Sequence, residues 1–324
     1  MRIIYMGTPE FAAIALAAIV KEHEVVAVVT QPDKPQGRNR KLVPTPVKVK
    51  AQEYEIPVYQ PEKVREAEMV ETLRSYKPDA IVVAAYGQIL PESILSIPPY
   101  GCINIHASLL PKYRGAAPIE RAIIDGETVT GVTTMYMEKG LDTGDMIDKV
   151  EVDITPEDTG ATLHDKLAVA GASLILETLM KLENHTATRT KQDDTQSCYA
   201  SMLSKEMGQM DFSKPAEKLE RLIRGLNPWP CAYTQIDGKN VKIYKAKVIT
   251  MDAAYKAQAQ AKVEQTLAFA PGEIVEVVKK YFVIACGTDA LQIQNLQPEG
   301  KKPMDAAAYL NGNPLKAGMY VNQD

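Results

Sequence analysis

Asn104 and His106 stand two residues apart in the run Cys102-Ile103-Asn104-Ile105-His106, between apolar neighbours. Residues two apart on a strand share a side, so an amide donor and an imidazole would stand next to each other. A loop punctuated by Pro and Gly follows and carries Ser108 and Arg114. A third polar group, Asp142, lies in Gly140-Leu141-Asp142-Thr143-Gly144, where two glycines mark a tight turn that presents the carboxylate. Each has an ordinary structural alternative: His106 as a satisfied histidine at a strand end, Asp142 as a turn former. If the three converge, they supply an amide, an imidazole and a carboxylate, but no nucleophile. Ser108 lacks a G-x-S-x-G elbow, Cys102 reads as core, and one His with one Asp is too small a ligand set for a metal. What remains is direct transfer of an acyl group to a nucleophile that a substrate brings. Asn104 and His106 suit stabilisation of an oxyanion, and Asp142 suits proton acceptance or tuning of the imidazole.

The elements that must position these groups follow from periodicity. Residues 2–6 read as an apolar strand, followed by Gly7-Thr8-Pro9-Glu10. Thr8 can cap the helix at 11–20, Pro9 suits its first turn, and Glu10 complements the helix dipole. Residues 25–30 form the next strand, so the chain opens β-α-β. It lacks both the G-x-G-x-x-G turn and the acidic residue ending the second strand, which disfavours a nicotinamide dehydrogenase but not the doubly wound fold. Residues 31–46 (QPDKPQGRNRKLVPTP) read as a long loop, either solvated or functional. Helices are expected at 47–54 and 62–76, then a fully buried parallel-type strand at 79–85, DAIVVAA.

Beyond 102–106, a helix at 116–125, strands at 130–137 and 145–153 and a long amphipathic helix at 159–181 complete the pattern. His164, on that last helix, receives no role. Residues 183–205 are polar and aperiodic and read as a linker. After a helix at 214–226, short strands at 232–236, 241–248, 272–278, 282–285 and 291–296 read as a small OB-like β-barrel, with a solvated insertion at 253–267. The expected organisation is an α/β domain at 1–182 built on a Rossmann-like, doubly wound, mostly parallel sheet, a linker at 183–205, and the OB-like β-barrel domain at 206–324.

The 324 residues suit two domains, and 45% hydrophobic with 24% charged residues is the balance of a water-soluble globular chain. The four cysteines have no C-x-x-C spacing, which argues against a disulfide framework and a cysteine zinc site. Neither a secretory leader nor a membrane-spanning apolar run is expected, and a reducing cytoplasm fits best. Residues 1–205 hold 22 Lys and Arg against 28 Asp and Glu, a net −6, whereas 206–324 hold 15 against 13, a net +2. Lys34, Arg38, Arg40, Lys41, Lys48 and Lys50 form a tighter basic cluster with no acid between them, suited to a polyanion.

The stretch N-I-H-A-S-L-L-P-K-Y-R-G-A-A-P, residues 104–118, resembles the signature of the tetrahydrofolate-dependent formyltransferases. The Gly140-Leu141-Asp142-Thr143-Gly144 turn is similar to that family's second motif. Gly7-Thr8-Pro9-Glu10-Phe11, Gln31-Pro32-Asp33-Lys34-Pro35 and Leu226-Asn227-Pro228-Trp229-Pro230 resemble the branch that formylates methionine carried on initiator tRNA. The resemblance covers essentially the whole chain. It implies that the amine of methionyl-tRNA attacks the formyl carbon of 10-formyltetrahydrofolate without a metal. Asn104 and His106 would hold the oxyanion, while Asp142 would tune His106 and relay the proton. It also implies that Ser108, Leu109, Leu110 and Pro111 border the folate. Arg38, Arg40 and Lys41 would contact the tRNA acceptor stem, and the barrel would add contacts to the tRNA backbone. A monomer with no membrane partner is expected. Two departures are visible: the Ala-x-Lys-Ile pattern is missing around 197–205, and Asp211-Phe212 stands where Asp-Trp is usual.

The alternatives are a relative acting on a nucleotide sugar, glycinamide ribonucleotide or another small amine, and a non-catalytic RNA-binding protein on the same fold. The basic loop and the barrel favour tRNA, because a small substrate needs neither.

Overall fold

Arg2–Gly7 (β1) lies inside a seven-stranded sheet, with Ile3, Ile4, Tyr5 and Met6 fully buried. An unbroken apolar run of this kind marks a strand covered on both faces. The computed structural model describes residues 1–36 and 41–322. On one side β1 pairs in parallel with Glu24–Val29 (β2), which continues to Val58–Tyr59 (β3). On the other it pairs in parallel with Ala80–Ala84 (β4), which continues to Cys102–His106 (β5). Val129–Tyr136 (β6) and Met146–Asp153 (β7) extend that edge antiparallel. The order β7-β6-β5-β4-β1-β2-β3 is doubly wound and mostly parallel, and such sheets place ligands at the carboxyl ends of their strands.

Each face of the sheet is covered by helices. Gly160–Glu183 approaches β5 closely at Gly171, where a Cβ would come 3.0 Å from Ile105 Cγ2. On the opposite face Ala67–Ser75 contributes Met69, Val70 and Leu73 to a core with Ile4, Met6, Ile81, Val83 and Cys102. Cys102 therefore shares the side of Asn104 and His106 but lies deeper, and burial pushes its thiol up to about 12.

Chain entry differs from expectation in two places. Thr8 does not cap the first helix, Glu10–Glu22; its hydroxyl donates to the Tyr86 carbonyl at 2.9 Å, tying β1 to the end of β4. Residues 31–46 are not wholly irregular, since Lys34–Gln36 and Lys41–Val43 pair antiparallel. Asp33 anchors the base of this hairpin: it accepts from Lys48 Nζ at 2.7 Å and Gln60 Nε2 at 2.7 Å. Those two bonds hold its carboxyl below the usual carboxylate range. Thr45 then caps Pro46–Glu53, its hydroxyl accepting from Lys48 N at 3.1 Å.

The chain divides into two units: Met1–Pro118 with Val129–Ile154 and Thr162–Ser201, and Ile119–Thr128 with Thr155–Ala161 and the chain from Met202 onward. The second unit is built on an antiparallel sheet. Ala232–Ile236 turns through Asp237 and Gly238, at φ 49° and 68°, into Lys239–Ile249. Positive φ at both central residues is what a tight hairpin with right-handed strand twist requires. Ala290–Pro298, Tyr281–Ala285 and Ile274–Val278 follow in spatial order. The C-terminal segment links the two edge strands. Val321 N donates to Gly272 O, and Asn322 N to Gln235 O, both at 2.9 Å. Phe212 fills the core of this unit beside Ile243, Phe282 and Ile293, so a smaller aromatic ring occupies the position where tryptophan is usual in the resembling family.

Candidate active site

The carboxyl end of β5 carries the site. Strand alternation puts Asn104 and His106 on one side, 9% and 6% exposed. The Asp142 turn, which follows β6, reaches both of them. Asn104 Nδ2 donates to Asp142 Oδ1 at 3.4 Å, and His106 Nδ1 lies 3.7 Å from Asp142 Oδ2. Asn104, His106 and Asp142 therefore come together in space.

Backbone groups complete the arrangement. His106 Nε2 lies 2.9 Å from the Tyr113 carbonyl. A carbonyl only accepts, so this bond places the hydrogen on Nε2 and turns Nδ1 toward Asp142. Gly115 N donates to Asp142 Oδ2 at 2.9 Å. Both carboxylate oxygens thus have a defined partner, and a side chain 14% exposed is held in one orientation. Two separations, 3.4 and 3.7 Å, are longer than a strong hydrogen bond.

The turn that delivers Asp142 is strained in a way its sequence accommodates. Asp142 sits at φ 52°, in the left-handed region that Asp tolerates better than most residues. At Gly144 a Cβ would lie 1.9 Å from the Tyr136 carbonyl, so only glycine fits that close backbone approach.

Ser108, Leu109, Leu110 and Pro111 form the loop after β5, but their side chains do not all face outward. Ser108 is fully buried and its hydroxyl donates to Lys112 O at 2.6 Å, while its carbonyl accepts from Thr133 Oγ1 at 2.7 Å. Leu110 is buried against Met135 and Met146, and its carbonyl accepts from Lys149 Nζ. Leu109 and Pro111 remain half-buried, and the Leu110–Pro111 peptide is cis. Ser108 and Leu110 shape the loop from inside.

Lys41 is exposed at the start of the second hairpin strand, and Arg38 and Arg40 lie outside the described residues. Among the described residues no group of three or more His, Cys, Asp and Glu could hold a metal ion, and no helix is long and apolar enough to cross a membrane.

Three contributors had no signal in the sequence: the Tyr113 carbonyl, the Gly115 N–H and the Gln192 side chain. The first two are main-chain groups. Gln192 lies in the aperiodic segment read as a linker, yet it is 5% exposed and donates to both Asp142 O and Gly144 O at 2.8 Å. That segment also runs beside the loop after β5, with Tyr199–Ala200 pairing in parallel with Arg114–Gly115.

Residues 1–179 match the formyl transferase family model, and residues 202–314 match the model of the formyl transferase C-terminal domain. The chain is 52% identical over 326 residues to the methionyl-tRNA formyltransferase of Lachnospira eligens, covering 100% of both chains. It is 49% identical over 320 residues to that of Geobacter metallireducens, covering 98% of both. Among solved structures, the sugar 3N-formyl transferase WlaRD, crystallised in the presence of dTDP and 5-N-formyl-THF, matches with a TM-score of 0.64 at 20% identity, over 93% of this chain and 99% of that one. At that identity WlaRD shares the fold. The matched regions contain Asn104, His106 and Asp142 on one side and the antiparallel-sheet unit on the other, and the chain belongs to the formyl transferase family.

Proposed function

We propose that the chain transfers the formyl group of 10-formyltetrahydrofolate to the amino group of methionyl-tRNA, marking the initiator tRNA for translation initiation. The observation that carries the chemistry is the convergence of Asn104, His106 and Asp142 at the end of β5. The acceptor is assigned from relatives that align with the chain from end to end and are named for methionyl-tRNA.

The acceptor amine attacks the formyl carbon, and the C=O electron pair moves onto oxygen. The Asn104 amide has a second N–H beyond the one given to Asp142, and this N–H meets the developing oxyanion. His106 supplies the other donor at Nδ1 when both ring nitrogens carry a hydrogen, since Nε2 is taken by the Tyr113 carbonyl. Asp142 accepts the proton released by the amine and passes it toward N10 of the folate as the C–N10 bond breaks. The balance is one proton from amine to N10 and one formyl group in the opposite direction, with no oxidant or metal.

Leu109, Pro111 and the adjoining main chain border the folate on this proposal. Lys34, Lys41, Arg38 and Arg40 neutralise phosphates of the tRNA acceptor stem, and the Asp33–Lys48–Gln60 bonds anchor the base of the strand pair that carries Lys34 and Lys41. Phosphate neutralisation is read in salt dependence. Replacing Arg38 and Arg40 by Ala reduces the slope of log kcat/KM for methionyl-tRNA against log salt by about one to two, and leaves the KM for the formyl donor unchanged. An unaltered slope, measured over a potassium chloride series, removes the hairpin from the tRNA interface.

A further inference from the structure

Among the described residues, Gln192 is the one buried side-chain amide that touches the Asp142 turn without belonging to the 104–118 stretch or the 140–144 turn. Its NH2 group has two hydrogens, and each goes to a different carbonyl of that turn, Asp142 O and Gly144 O, at 2.8 Å. Its Oε1 is occupied as well, accepting from Arg114 Nε at 2.9 Å. Arg114 is fixed in turn by Asp194 Oδ1 at 2.8 Å. Each of these three Gln192 hydrogen bonds is directed at one of two segments, the loop at 114 or the Asp142 turn.

The chain on either side of Gln192 is tied to the same two segments. Thr190 exchanges both main-chain hydrogen bonds with Met146, four residues beyond Asp142, at 2.8 and 2.9 Å. Toward the C-terminus, Cys198 O accepts from Arg114 N, and Ala200 O from Ala116 N, both at 2.9 Å. The loop held this way contains the Tyr113 carbonyl that faces His106 Nε2 and the Gly115 N–H that binds Asp142 Oδ2. A closed circuit results: from the Asp142 carboxylate to Gly115, along the chain to Arg114, across to Gln192, and back to the Asp142 carbonyl. Asp142 has its φ at 52°, a conformation an unrestrained loop leaves readily.

We propose that Gln192 is a positioning residue for formyl transfer. It clamps the main chain of the Asp142 turn so that the carboxylate stays in register with Asn104 and His106. This rests on the proposal that Asp142 acts with those two residues. Gln192 touches no substrate. It acts on the transition state by fixing where the carboxylate stands, and misplacement by about an ångström is enough to cost two orders of magnitude in rate.

The test uses the full-length enzyme with Gln192→Ala and Gln192→Glu, each rate being referred to the fraction of protein that binds 5-formyltetrahydrofolate. Gln192→Glu keeps the shape and an acceptor for Arg114 but offers no N–H to the two carbonyls, so a residue needed only for packing would tolerate it. Both variants are expected to lose about tenfold or more in kcat, with KM for the formyl donor and for methionyl-tRNA within about twofold of the parent. If Gln192→Ala does not fold, Gln192→Glu carries the same decision. A Gln192→Glu enzyme with kcat within about threefold of the parent, or a loss confined to KM, overturns the clamp. Asp142→Ala is measured alongside. Parent-like turnover there defeats the role of Asp142 itself, whereas an impaired Asp142→Ala beside a normal Gln192→Glu defeats only the positioning role.

Discussion

Asp142→Ala lowers kcat by about 100- to 10,000-fold, the range that proton transfer by a positioned side chain supplies. The carboxylate performs three tasks from one position. Oδ1 orients the Asn104 amide, while Oδ2 takes the Gly115 N–H and faces the His106 ring. Removing it frees the amide, leaves a main-chain donor without its carboxylate partner and takes away the group that faces the His106 ring. The isosteric Asp142→Asn does not restore the arrangement. A carboxylate accepts from Asn104 and Gly115 together, whereas an amide has one acceptor oxygen and sets its own NH2 against one of those donors. Asn is therefore expected to fall near Ala and not near the parent. Single-turnover formylation with saturating donor measures this directly. A kcat within threefold of the parent for either variant contradicts the assignment.

Asn104→Ala is expected to lower kcat by about 100- to 1,000-fold, the cost of deleting one side-chain donor from an oxyanion site. Its amide is placed by the strand, not by a loop. The partner of Asn104 across the sheet is Met135, and His106 stands opposite Thr133, so the spacing between the two donors is fixed by backbone pairing. The loss is expected in kcat, with the KM values for donor and tRNA little changed, because the bond is made to an oxygen that becomes negative only in the transition state. Equilibrium binding of methionyl-tRNA stays near the parent value. A rise in KM that accounts for the whole loss would place Asn104 in substrate binding instead.

How much of this was legible in the sequence depended on whether a group leaves a periodic or a turn signal. The strand at 102–106 was readable because polar and apolar positions alternate there, and its bounds match those observed. Asp142 was readable because Gly140 and Gly144 bracket it. The structure supplies the physical reason for one of them, the Tyr136 carbonyl 1.9 Å from where a Cβ would stand at Gly144. The strands of the antiparallel unit were visible through alternation and the Asp237-Gly238 turn.

What stayed hidden has equally physical causes. Thr8 has the chemistry of a helix cap, but it bonds across to Tyr86 O, a partner 78 residues away that no local pattern discloses. The Tyr113 carbonyl and Gly115 N–H are main-chain groups that every sequence contains, and only the path of the loop brings them to His106 and Asp142. Ser108 and Leu110 sit in the signature stretch as if to face a ligand, whereas their side chains turn inward, a direction set by the loop and not by residue type. Gln192 is a single buried amide in a polar segment without periodicity. The composition that marked 183–205 as a linker could not reveal that one of its side chains holds the Asp142 turn.

The central claim, formyl transfer from a reduced folate to methionyl-tRNA at the Asn104–His106–Asp142 site, is tested most directly by an acceptor comparison. The purified chain is supplied with radiolabelled 10-formyltetrahydrofolate and, in parallel, initiator methionyl-tRNA, dTDP-linked amino sugars and glycinamide ribonucleotide. Label is expected in methionyl-tRNA, and its appearance is expected to depend on all three side chains. Label transferred only to the small amines, or transfer to methionyl-tRNA that survives Asp142→Ala undiminished, would contradict the account.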